Sequence, residues 1–128
     1  METLLKIVFT TNLALLILHE MDAIYWKEWR ILLQTNNDHK GRNIFLLAHI
    51  PLLMILLFAL VYSDTTFGRV VSLSTGLFLI VHYFLHRQAL QQGLFSEKIS
   101  FGIISAMLLG SIIQVILTAT GMFISMSG

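Results

Sequence analysis

The chain has 128 residues, 56% hydrophobic and 12% charged, with a formal net charge of +1 and no cysteine. A soluble domain carries about 25% charged residues, so this is membrane composition, and the length allows one domain. The charge balance excludes a nucleic-acid footprint, and the missing cysteines exclude disulfides, thiolate metal sites and cysteine nucleophiles.

A membrane-spanning helix needs about 20 mainly apolar residues. The first span is predicted over 4–26. Leu4 to Leu18 is too short to cross alone, so the span continues through His19-Glu20-Met21-Asp22 to Trp26. No small-residue cleavage site follows this apolar run, so it is expected to be retained. Tyr25, Trp26 and Trp29 sit where an interfacial aromatic belt would lie. The helix is expected to continue to Leu33, with Lys27, Glu28 and Arg30 at the water boundary.

Gln34 to Asn43 reads as a polar, turn-rich loop. The second span, 44–62, carries His49 and, two residues later, Pro51. Proline removes a donor and frees the carbonyl four residues back, that of Leu47, which predicts a kink beside His49. After a short loop the third span, 70–86, ends in His82 and His86. Ser96 with Glu97 suits a helix start, and the fourth span covers 99–123. There Gly102, Ala106 and Gly110 recur every four residues. Such a small-residue face permits close helix contact and suits a homodimer; Gln114 and Thr118 read as interhelical glue. The predicted fold class is all-α, an integral membrane four-helix bundle.

Orientation follows from lysine and arginine. Lys27, Arg30, Lys40, Arg42, Arg87 and Lys98 flank the first and third connections, while Lys6 and Arg69 lie at the other side. That bias puts both termini outside and these connections in the cytoplasm, in what reads as a bacterial inner membrane.

The alternation of spans brings scattered residues to one depth. At about 1.5 Å per residue, His19 is roughly 12 Å from Lys27, His49 roughly 10 Å from Arg42, and His82 roughly 8 Å from Arg87. His19, Glu20, Asp22, His49, His82 and His86 therefore share one cytoplasmic layer. Each ionisable group inside the membrane costs about 2.5–3.5 kcal/mol, so something must compensate them. His82 and His86 are spaced i,i+4, which lets two imidazoles bind one metal. His19 and Asp22 are i,i+3 and face the same way, with Glu20 turned aside. A divalent metal, zinc or iron foremost, fits imidazole and carboxylate donors. His19, Asp22, His49 and His82 are the expected ligands, with His86 as a further ligand or an interfacial residue. An ion-pair network without metal would also compensate the acids.

The stretch HEMDAIYWKEW resembles the first-helix signature of small prokaryotic membrane proteins of the HXXEE type and related families of unknown function. His19 and Asp22 match a histidine followed three residues later by an acid; Ala23 stands where a second acid would be. The resemblance implies a membrane location and a histidine–acid site, and no particular reaction.

These readings point to a metal-dependent membrane enzyme acting on a lipid or other amphipathic substrate, with Glu20 as general acid/base. A proton-coupled small transporter or channel subunit using Glu20 and Asp22 is the alternative. A third reading is a haem protein with His49 and His82 as axial ligands.

Overall fold

The computed structural model describes residues 1–33, 35, 37–91 and 98–127, with side chains omitted at 31, 32, 89–91, 98–100 and 126. The helices are α1 (Glu2–Tyr25), one-turn α2 (Trp29–Leu32), α3 (Asp38–Val61), α4 (Thr66–Gln91) and α5 (Lys98–Ser127). No strand occurs among the described residues. Glu2–Tyr25, Asp38–Val61, Thr66–Gln88 and Phe101–Ser125 are each long and apolar enough to cross a membrane. The protein is an all-α membrane bundle of four spanning helices. The helix start expected at Ser96 and Glu97 lies outside the described residues.

Local chemistry explains the helix ends. The sequence reading carried the first helix on to Leu33, but α1 stops at Tyr25. Lys27 adopts φ 57°, its N–H bonds Ile24 O at 3.3 Å, and Glu28 N–H bonds Ala23 O at 3.0 Å. This pairing is a Schellman motif with lysine at the left-handed position that glycine usually fills. No Gly or Pro marks the break, so it carries no signal in the sequence. At the start of α3, Asn37 Oδ1 accepts from Lys40 N–H at 3.0 Å, the side-chain cap that lets the helix begin well before the apolar run. Thr65 Oγ1 likewise accepts from Gly68 N–H at 3.1 Å at the start of α4.

α5 packs against α1 and α4, and α3 packs against α4 and α1. The helices thus form a ring in which α1 and α4 stand on a diagonal. Large apolar side chains such as Leu47, Met54, Leu109 and Phe123 face outward, as a lipid solvent permits. Between helices in lipid, packing and hydrogen bonds replace the hydrophobic effect. Accordingly, one inner layer is apolar, built from residues including Leu16, Leu79 and Met107. A second layer is polar. Asn12 Nδ2 donates to Gln114 Oε1 at 2.7 Å, and Gln114 Nε2 donates to Ser72 O at 2.8 Å. Ser72 and Thr118 hydroxyls meet at 3.1 Å.

Gly102 and Ala106 are exposed on α5, and Gly110 is half-buried. Each four-residue step overshoots a full turn by about 40°, so the row drifts across one side of α5 and reaches α1 at Gly110. A Cβ on Gly102 would meet open space, whereas one on Gly110 would strike the Asn12 amide. Gly110 therefore serves the α1–α5 contact within the chain.

Candidate metal centre

The inward stripe of α1 is Leu5, Phe9, Asn12, Leu13, Leu16, His19 and Ala23. This spacing puts His19 on the bundle axis, with only 2% of its surface exposed. From the diagonal helix α4, half-buried His82 and His86 converge on it. His19 Nε2 and His82 Nε2 are 2.9 Å apart. The His86 ring centroid lies 4.6 Å from that of His19 and 4.4 Å from that of His82. One ring nitrogen from each of the three lies within 4.8 Å of the others, a group that could hold a metal ion.

A tetrahedral ion with nitrogen ligands at about 2.0–2.1 Å would hold those nitrogens about 3.3 Å apart. His19 and His82 would have to part by only a few tenths of an ångström, and His86 to close in. His19 Nδ1 is buried without a hydrogen-bond partner among the described residues, so no hydrogen bond from Nδ1 fixes the ring.

The Schellman turn brings an acid against this group. It folds Glu28 back against the bundle, where Glu28 is 7% exposed with Oε2 3.6 Å from His86 Nε2. Burial, followed by the charges of Glu20 and Asp22, pushes its carboxyl up to about 8. A bound cation would reverse that penalty, because a divalent ion is the largest local charge in such a site.

Glu20 takes a different partner. Lying one residue beyond His19, it turns toward α3, where its Oε2 meets His49 Nε2 at 2.9 Å. His49 Nδ1 donates to Phe45 O at 2.6 Å, and its ring packs on Phe45 at 4.3 Å. Since Nδ1 carries a proton, the Nε2···Oε2 contact needs one more. The pair is therefore imidazolium with carboxylate or imidazole with carboxylic acid. Both forms are neutral overall, so one buried acid is compensated without an ion.

Of the residues singled out from the sequence, His19, His82 and His86 come together, while His49 and Glu20 form their own pair. Asp22 is half-buried on α1, close enough for its charge to act on His86 and Glu28. Glu28 was missed because the cluster Lys27 to Arg30 read as water-exposed. The one available signal was an acid flanked closely by Trp26 and Trp29. Trp29 itself is no surface anchor: it is 3% exposed, with its ring 6.2 Å from that of Phe45 and in the space a Cβ on Gly41 would need.

Searches of curated proteins and of solved structures each find no match. A family model described as a family of unknown function, DUF6713, matches residues 5–121. That range holds α3 and α4 entire, the inward stripe of α1, and every histidine and acid of the candidate site. The likeness to families of unknown function is thereby supported, though the HXXEE type itself is not what matches. Over nearly its whole length, the chain belongs to DUF6713, a family of unknown function.

Proposed function

We propose that this is an integral membrane metalloprotein, with zinc or iron held by His19, His82 and His86 and with Glu28 beside them. The observation that supports this most is the convergence of three imidazoles from two diagonal helices within 4.8 Å. Three protein ligands leave a fourth position open, the arrangement of catalytic rather than structural zinc sites. The reading therefore extends to a metal-dependent enzyme acting on an amphipathic substrate. The ion would supply Lewis acidity, and Glu28 is better placed than Glu20 to hold or release a proton there. The bias of basic residues toward this end of the bundle supports a site near the cytoplasmic face of a bacterial inner membrane, with both termini outside. A reporter fused at Asp38 should then report cytoplasm.

Elemental analysis of detergent-purified protein tests the reading. About one equivalent of a transition metal per chain is expected, by purification or on adding it back. Less than about a tenth of an equivalent, with no gain on addition, would overturn it.

The Glu20–His49 pair favours a second reading, a proton-coupled transporter. Against it, Leu16, Leu79 and Met107 form an apolar layer between the histidines and the Asn12–Gln114 network. In that reading Glu20→Gln abolishes pH-dependent flux while metal content stays at background. The haem reading requires His49 to leave both Glu20 and Phe45; a visible absorption spectrum tests it.

A further inference from the structure

Between α3 and α4 the outer surface opens into a groove of about 260 Å³, lined by Leu16, Leu52, Leu56, Val71, Ser74 and Phe78 among others. Its lining is almost entirely apolar, although Ser74 and Thr75 contribute hydroxyls. Thr75 spends its hydroxyl on Val71 O at 2.8 Å. The rim residues Leu52, Ile55, Val70 and Phe78 are exposed, so the groove is continuous with the surface the membrane covers. A groove in that position meets no water, and acyl chains are what the hydrocarbon core offers to fill it.

One end of this groove, at Phe78, lies beside the histidines. Phe78 lies one turn before His82 on α4, and their rings stack with centroids 5.5 Å apart. Leu16 forms the back of the groove and sits one turn before His19 on the inward stripe of α1. Leu52 lies one turn after His49 on α3. All three helices that carry the histidine layer thus contribute a wall residue about one turn away from a histidine. From Val70 to Phe78 the groove runs about 12 Å along α4, with His82 about 6 Å beyond.

We propose that this groove binds the hydrocarbon chain of the substrate, entering sideways from the bilayer with its polar end at His19, His82 and His86. This rests on the metal reading and names its substrate class: a molecule with a single aliphatic chain and a headgroup able to meet a metal ion. Phe78 and Leu16 are positioning residues, because each touches the chain and backs a histidine.

The test uses the full-length protein in detergent micelles and a long-chain fatty acid carrying a diazirine along its chain. On illumination, label should concentrate on the peptides containing residues 52–56 and 70–78, and excess unlabelled oleate should suppress it. Ser74→Phe, which fills the groove from an exposed position, should lower labelling about tenfold, since each excluded methylene loses its apolar contact. In cobalt-loaded protein, oleate should shift the visible ligand-field spectrum, and Ser74→Phe should abolish the shift without lowering cobalt content. Label spread evenly over outward residues such as Ile7, Leu109 and Ile116, without suppression by oleate, would overturn the groove. Failure to bind cobalt would instead overturn the metal reading, leaving the labelling pattern to judge the groove alone.

Discussion

His19 and His82 place their Nε2 atoms 2.9 Å apart across the diagonal of the bundle. Two neutral imidazoles at that separation share a single proton, one donating and the other accepting. Binding an ion replaces this hydrogen bond by two coordinate bonds. Alanine at His19, His82 or His86 should then each remove most bound metal, because a site missing one ligand fails as a unit. His49→Ala should leave occupancy unchanged. Saturating metal should also raise stability, by about 2.7 kcal/mol at a hundredfold excess over Kd. Thermal unfolding in detergent, with and without chelator, gives that measurement. Equal metal loss in His49→Ala would show that the site lies elsewhere.

The Glu20–His49 pair makes a contrasting prediction. Glu20→Leu or His49→Leu alone leaves its former partner half-buried and unsatisfied, which costs about 1–3 kcal/mol. Replacing both by leucine should be close to neutral, as it is for many buried ion pairs exchanged for apolar residues. A double-mutant cycle on thermal stability should therefore show coupling of at least about 1 kcal/mol. Coupling near zero would mean that the pair does not form in the folded protein. Metal content should stay at the wild-type level throughout.

The spanning helices were legible in the sequence because lipid imposes a single rule, an apolar run of sufficient length. The shared depth of His19, His49, His82 and His86 followed from the same rule by counting residues. Which of them touch could not follow, because depth says nothing about rotation around the helix axis. His49 stands at the right level but bonds Phe45 O and Glu20, whereas His86, which taken alone read slightly better as an interfacial residue, lies with its ring 4.6 Å from that of His19. Glu28 depended on a helix break held by backbone hydrogen bonds to Ala23 and Ile24, and lysine carries no propensity signal for it. That Gly110 lies against Asn12 of α1 while Gly102 faces open space was likewise hidden, since a four-residue repeat looks straight when written out.

That break can be tested at Lys27. A non-glycine residue in the left-handed region costs roughly 1–2 kcal/mol, so Lys27→Gly relieves backbone strain. It also removes the Nζ–Asp38 Oδ2 contact of 2.7 Å, an exposed and solvent-screened pair that contributes little. Arg30 still holds Asp38 through Nε and Nη2. Lys27→Gly should therefore be neutral to stabilising, with metal content kept. Lys27→Val, β-branched and poorly suited to positive φ, should destabilise and release Glu28 from His86. Thermal unfolding and metal analysis of the two variants separate the effects; identical behaviour would argue against the turn.

Gly110 carries the last prediction. A Cβ there would fall on the Asn12 amide, with Asn12 Oδ1 the nearest atom. Asn12 is 1% exposed, so it cannot swing out to solvent. Its Nδ2 hydrogen bond to Gln114 Oε1 would be displaced, and Gln114 in turn holds Ser72. Leaving such buried amides unpaired costs about 1–3 kcal/mol, and prying α1 from α5 adds lost packing. Gly110→Val should therefore lower thermal stability clearly, while Gly102→Val, which meets open space, should be tolerated. If the small residues instead served a homodimer, both substitutions would shift the protein toward monomer in size-exclusion chromatography with light scattering. Loss of stability at Gly110 alone, with no change of mass in either variant, is the outcome the α1–α5 contact requires.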